Sequence, residues 1–223
     1  PVISYTGSPF TYTKDVAISP LTPTNTGGDI PLHVIDSIGD VGNYSSMVMD
    51  SNGKIHIAYS DITNTKVKYA TDKSGAWVDT IIGTFQGSIS IAVDSNNNVH
   101  IAYTSSLNLY YATDKNGSWE SSVADPTFGT GFYPSIAIDS NDKVHIAHKN
   151  IMSSGRLRHT TDASGSWFTS VLTLSGQDNG QWPSIAIDSN DKIHISYYQA
   201  ALTSTPSLLG INYITDKSGA WVS

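Results

Sequence analysis

Apolar and polar residues alternate in short runs along this chain, and clusters of Gly, Asn, Asp and Ser separate the runs. A period of two marks half-buried strands, and the 3.6-residue spacing of an amphipathic helix is missing. Four of the runs are near copies of one another: "IHIAY" from Ile55, "VHIAY" from Val99, "VHIAH" from Val144 and "IHISY" from Ile193. Each follows an Asp-Ser-Asn turn that opens at Asp50, Asp94, Asp139 or Asp188, so the period is 44, 45 and then 49 residues. Such a period belongs to propeller blades and similar β arrays.

Each unit reads as four short strands. In the third unit, strand A is Ser135 to Asp139 and strand B is Val144 to His148. Asx-type turn residues join them. Strand C is "VKYAT" in the first unit and "LYYAT" in the second. A seven-residue turn then leads into strand D: "TDKSGAW" holds Asp72 and Trp77, "TDKNGSW" Asp114 and Trp119, "TDASGSW" Asp162 and Trp167, and a second "TDKSGAW" Asp216 and Trp221. In that turn Asp accepts backbone N–H bonds, Gly takes a left-handed conformation and Trp buries its ring between neighbouring sheets. The predicted repeats are 45–83, 88–125, 134–173 and 183–223. "PLHVIDS" (31–37) stands where a strand D belongs and is expected to pair with the last unit, closing a four-bladed ring. A fragment of a larger propeller is the rival arrangement.

The expected fold is therefore all-β: a β-propeller over 31–223 with an N-terminal β-strand segment over 1–30. Across residues 45 to 223 the chain resembles the Asp-box propellers, the sialidase-like group whose blades carry Ser/Thr-x-Asp-x-Gly-x-Thr-Trp between the third and fourth strands. The turns here place Gly three residues after Asp rather than two. The stretch "SPFTYTKDVAISPLTPTNTGG" resembles the opening of Ig-like repeats of large bacterial surface proteins. A whole sandwich needs about seven strands, so this incomplete segment is expected to bury its apolar face on its own propeller or on another molecule by strand exchange.

Charge and composition narrow the partners. With 19 acidic and 12 basic residues the net charge is −7, which disfavours nucleic acid and anionic membranes. No apolar run approaches the roughly 20 residues of a membrane-spanning helix. Few charges and many Ser, Thr, Asn and Gly suit an extracellular or cell-surface protein of bacterial type, and a first residue of Pro reads as a processed or trimmed start. Cysteine is absent, so no disulfide or thiolate metal site stabilises the fold. Asn43 and Asn116 lie in glycosylation sequons.

Candidate chemistry follows from the repeat and its exceptions. His56, His100, His145 and His194 occupy one position in four units, too dispersed to gather round a metal, and are expected to be interior hydrogen-bonders. No cofactor is implied. His148 and His159 replace tyrosines of the other units, and Arg156 and Arg158, the only arginines, lie beside them. This group offers charge-assisted donors for a carboxylate, sulfate or sugar, or else is drift on a solvated edge. Phe128, Phe132, Tyr133 and Trp182 sit on glycine-rich loops predicted to share one propeller face, where they either stack on sugars or plug blade junctions. Sialidases of the resembling architecture use an arginine triad, which two arginines cannot form, and Glu120 is the only glutamate for a carboxylate pair. The sequence thus predicts a non-catalytic structural protein self-assembling through residues 1–30 as an oligomer or fibre. The alternatives are a carbohydrate-binding, lectin-like module and, more weakly, a sialidase-like hydrolase.

Overall fold

A computed structural model describes residues 3–4, 24–25, 33–85, 87–152, 155–173, 178–200 and 210–222. The chain divides into a unit of Pro1–Val34 and a unit of Ile35–Ser223. In the smaller unit β1 (Ile3–Ser4) pairs antiparallel with β2 (Thr24–Asn25). The rest of the Ig-like segment falls outside the described residues.

The larger unit is all-β, with four antiparallel sheets in which each strand pairs with its sequence neighbour. The first holds β3 (Val41–Met49), β4 (Ile55–Asp61), β5 (Lys66–Thr71) and β6 (Val78–Thr84). The second holds β7 (Ile89–Val93), β8 (Val99–Ser105), β9 (Asn108–Thr113) and β10 (Glu120–Asp125). The third holds β11 (Phe132–Ile138), β12 (Val144–Asn150), β13 (Arg156–Thr161) and β14 (Phe168–Val171). The fourth has three strands, β15 (Asp178–Ile187), β16 (Ile193–Ala200) and β17 (Gly210–Thr215), and an isolated bridge from Thr215 to Val222.

Both repeated turns lock these sheets through their carboxylates. Asp72 Oδ1 accepts the backbone N–H of Ile55, and Asp114, Asp162 and Asp216 do the same for Val99, Val144 and Ile193, all at 2.7–2.8 Å. The four-fold recurrence of the seven-residue turn therefore has a structural cause: each copy satisfies a strand-B donor that is not taken up by the ladder. At the A–B turn, Asp50 Oδ1 accepts from the N–H groups of Asn52 and Lys54 at 2.8 and 2.9 Å. The following left-handed position is Gly53, Asn97, Asp142 or Asp191, residue types that adopt it at little cost.

Successive sheets pack through their first strands, β3 on β7, β7 on β11 and β11 on β15. One serine per junction stitches them: Ser46, Ser90 and Ser135 accept the N–H of Ile91, Ile136 and Ile185, each at 3.2 Å. The core falls into three apolar clusters, one per junction. Trp119 stands edge-on to Tyr69, Trp167 to Tyr111 and Trp221 to His159, with ring centroids 4.9–5.2 Å apart.

Residues 33–37 belong to no strand, and 31–32 lie outside the described residues. Asp36 instead turns to the first sheet, where its carboxylate accepts from Tyr59 Oη at 2.9 Å and from Lys68 Nζ at 2.5 Å. Half-buried Lys68, with two carboxylate neighbours in Asp36 and Asp79, ties this segment to the first sheet.

Candidate functional site

Six residues before each A–B turn aspartate the four sheets carry Tyr44, Ser88, Tyr133 and Trp182. Strand pairing slips at this place in three sheets. It jumps from Val41↔Asp61 to Ser45↔Tyr59 in the first, from Phe132↔Lys149 to Ser135↔Ala147 in the third, and from Gln181↔Tyr198 to Ser184↔Ser196 in the fourth. Each slip is a β-bulge, a device that re-aims side chains. Within their bulges Tyr133 (φ 53°) and Trp182 (φ 46°) hold left-handed backbone, although each precedes a proline, Pro134 or Pro183. A bulky residue before proline disfavours that region by about 1–3 kcal/mol.

The bulges bring the two rings together. Tyr133 and Trp182 have centroids 5.5 Å apart at 46°, and Tyr198 of β16 lies 5.9 Å beyond Trp182 at 42°. Tyr133 and Trp182, with Ser88, Pro134 and Pro183, bound an open groove of about 210 Å³ at the ends of the inner strands of three sheets. Trp182 remains 61% exposed there. Two aromatic faces, the Tyr133 hydroxyl and a serine make a surface that can stack on a flat, weakly polar face and bond hydroxyls at its rim.

Of the aromatic residues singled out by sequence, Tyr133 and Trp182 meet in this groove. Phe132 is half-buried on β11 opposite Lys149, and Phe128 is exposed on the preceding loop. Ser88, Tyr198 and the two prolines were not singled out. Their signal was present for Ser88 and the prolines, since they occupy or follow the repeated sixth position, whereas Tyr198 carries none.

The arginines and histidines divide between two places. Arg158 Nη1 donates to Asp125 Oδ2 at 2.6 Å. His148, fully buried, accepts the Gly131 N–H at Nδ1 (3.2 Å) and bonds Thr160 Oγ1 through Nε2 at 2.8 Å. Burial drives its pKa down to about 3, so at neutral pH it is an uncharged brace for the loop that carries Tyr133. Arg156 and Asn150 face each other across β12 and β13, and Arg156 Nε and Asn150 Oδ1 are buried with no hydrogen-bond partner among the described residues. His159 lies at the next junction, stacked at 5.2 Å on His145 and touched by Trp221.

Three of the repeated histidines, His56, His100 and His145, are buried, and His194 is half-buried. His56, His100 and His194 share hydrogen bonds of 2.5–2.6 Å with Tyr69, Tyr111 and Tyr213, and His145 bonds His159 at 3.1 Å. Their other nitrogens face Asp50, Asp94, Asp188 and Asp139 at 3.3–3.4 Å. Asn43 and Asn116 of the sequons are exposed.

No family model and no curated protein matches this sequence. Solved structures of propeller type do match its fold. A polysaccharide lyase, an ulvan lyase bound to -[GlcA(1-4)Rha3S]-, aligns with a TM-score of 0.56 at 12% identity over 78% of this chain and 52% of its own. The SapL1 lectin in complex with alpha methyl fucoside aligns at 0.57 and 13% identity over 82% and 62%. The intramolecular trans-sialidase from Ruminococcus gnavus, with oseltamivir carboxylate, aligns at 0.51 and 10% identity over 80% and 44%. The chain thus spans 44–62% of the length of these structures. These matches correct the expectation of a non-catalytic protein, because two of the three are enzymes and the exclusion of catalysis falls with them. At this identity the likeness is one of fold: four antiparallel sheets arranged as in propeller-type lyases, sialidases and lectins.

Proposed function

We propose that this protein binds carbohydrate in the groove of Tyr133 and Trp182, with Tyr198 beside the Trp182 ring. The observation that carries the reading is Trp182, held on a bulge in strained left-handed backbone so that its ring stands exposed beside Tyr133. Strain of that kind persists where the surroundings over-determine it, and it concentrates at ligand sites. A pyranose offers one face of C–H groups and a rim of hydroxyls, which matches the rings, Ser88 Oγ and the Tyr133 hydroxyl. The propeller-type fold of a lectin and of glycan-processing enzymes supports the same ligand class.

Glycan-array screening followed by tryptophan-fluorescence titration tests this. Trp182→Ala should weaken binding at least tenfold, while Trp77→Ala, outside the groove, should leave it unchanged. A blank array, or a Trp182→Ala titration equal to the wild type, would sink the proposal. The bound glycans should also be assayed for cleavage, since the fold admits it.

A further inference from the structure

The three junctions between successive sheets use one set of contacts, and the outer faces of the first and fourth sheets each display one half of that set. On the side facing the following sheet, Val67, Leu109 and Leu157 are fully buried, whereas their counterpart in the fourth sheet, Ile211, is 85% exposed. Two residues on, Tyr69, Tyr111 and His159 each receive a tryptophan. Tyr213 receives none among the described residues and is 49% exposed.

The first sheet shows the opposite half. Ile91, Ile136 and Ile185 are 6–9% exposed against the preceding sheet, but their counterpart Met47 is 67% exposed. Gly131 and Gly180 take positive φ so that the backbone can press on the preceding sheet: a Cβ at either would lie 2.5–2.6 Å from the Cα of Leu109 or Leu157. Gly42 occupies the same place with φ 84°, and nothing lies within 4 Å of the Cβ it lacks. Trp77, the counterpart of the three junction tryptophans, has no ring partner among the described residues.

We propose that a second copy of this chain completes the junction head to tail, the first sheet of one copy seating on the fourth sheet of the next. Each half-contact on one face has its complement on the other. Gly42 fits the Ile211 ridge, Trp77 fits Tyr213, and Ser184 Oγ meets the Met47 N–H as Ser135 meets Ile185. An unrelated partner would have to reproduce all three. The contact lacks one bond of the internal junctions: Ser51, Ser95 and Ser140 bond Asn97, Asp142 and Asp191, but the acceptor for Ser189 would be Gly53. The junction is accordingly weaker than those within the chain and depends on concentration. A heterologous contact closes into a ring or runs on as a filament, as its rotation dictates.

The chain has no cysteine, which makes directed cross-linking clean. Met47→Cys and Ser184→Cys single variants, mixed and oxidised, should form a mixed disulfide dimer that neither gives alone. Sedimentation velocity on the intact chain should show mass rising with concentration, and Ile211→Asp, at an exposed position, should abolish that rise while leaving the circular-dichroism spectrum unchanged. A monomer at every concentration with no mixed disulfide overturns the proposal. So does an intramolecular disulfide in the Met47→Cys/Ser184→Cys double variant with no mixed dimer between the singles, since the two faces would then close within one chain.

Discussion

His159 stands where the other three sheets place tyrosine, and the substitution has a thermodynamic signature. Burial, reinforced by the nearby charges of His145 and His148, pushes the His159 pKa from its ordinary 6.5 down to about 3, and burial does the same to His148. Below pH 6.5 the unfolded chain takes up protons that these folded residues refuse, so stability falls as the pH drops from 6.5 toward 3. The slope is about 1.4 kcal/mol per pH unit for each such histidine. The turn aspartates act lower. Asp50 and Asp188 are held below the ordinary 3.8 by the backbone N–H groups of Lys54 and Lys192, and their contribution, complete above 3.8, is lost as the pH falls further. His159→Tyr restores the partner that His56, His100 and His194 have, and it should flatten the decline in urea midpoint between pH 6.5 and 4 while leaving the loss below 3.8 in place. An unchanged slope above pH 4 would remove His159 from the account. A second expectation concerns the seven-residue turn. Asp114→Ala leaves the N–H of fully buried Val99 without its acceptor, which should cost about 1–3 kcal/mol in chemical denaturation, with Asp114→Asn recovering most of it.

At the scale of strands and turns, the same tryptophan has different worth in different sheets. Trp119 is packed edge-on to Tyr69 at 4.9 Å and belongs to the first junction cluster, so Trp119→Ala should destabilise by about 3 kcal/mol. Trp77→Ala, lacking that tyrosine, should cost under about 1 kcal/mol at concentrations where the chain is monomeric; equal losses would mean that the junction contacts do not carry the packing. The contrast also shows what could be read from the chain. The strands, their order and the locking turns were legible because the whole unit repeats: Asp72 reaches back over one hairpin to Ile55, and the same pairing recurs in each copy. The groove was half legible: Trp182 and Tyr133 stood out as aromatics among glycines, but the bulges that aim them arise from pairing with β16 and β12, across the sheet. Whether Arg158 offers an open donor or lies on a drifting edge could not be read from the chain, because its partner, Asp125, lies on the previous sheet. Asp36 likewise meets its partner Lys68 only across the fold, in the first sheet.

Taken whole, the larger unit is a row of sheets in which each packs on its neighbours in sequence, and such a row has stability that depends on position. The second and third sheets are covered on both sides, and β8 and β12 are buried along their whole lengths. The first and fourth have one covered side each, so opening an end sheet breaks a single junction whereas opening an inner one breaks two. Native-state hydrogen exchange should therefore find the amides of β16 and β17 opening at lower free energy than those of β8 and β9. Ile195→Ala, at a fully buried position of β16, should remove about 2–5 kcal/mol and lower protection mainly in β15 to β17. The matching Ile101→Ala in β8 should lower it in the first three sheets, because losing the second removes the junctions on both its sides while the third and fourth keep the one between them. Exchange that falls equally everywhere in both variants would mean one indivisible cooperative unit. Raising the protein concentration adds a further discrimination: seating the fourth sheet on the first sheet of another copy gives it a second junction, so protection should rise in β17 while β8 and β9 stay constant.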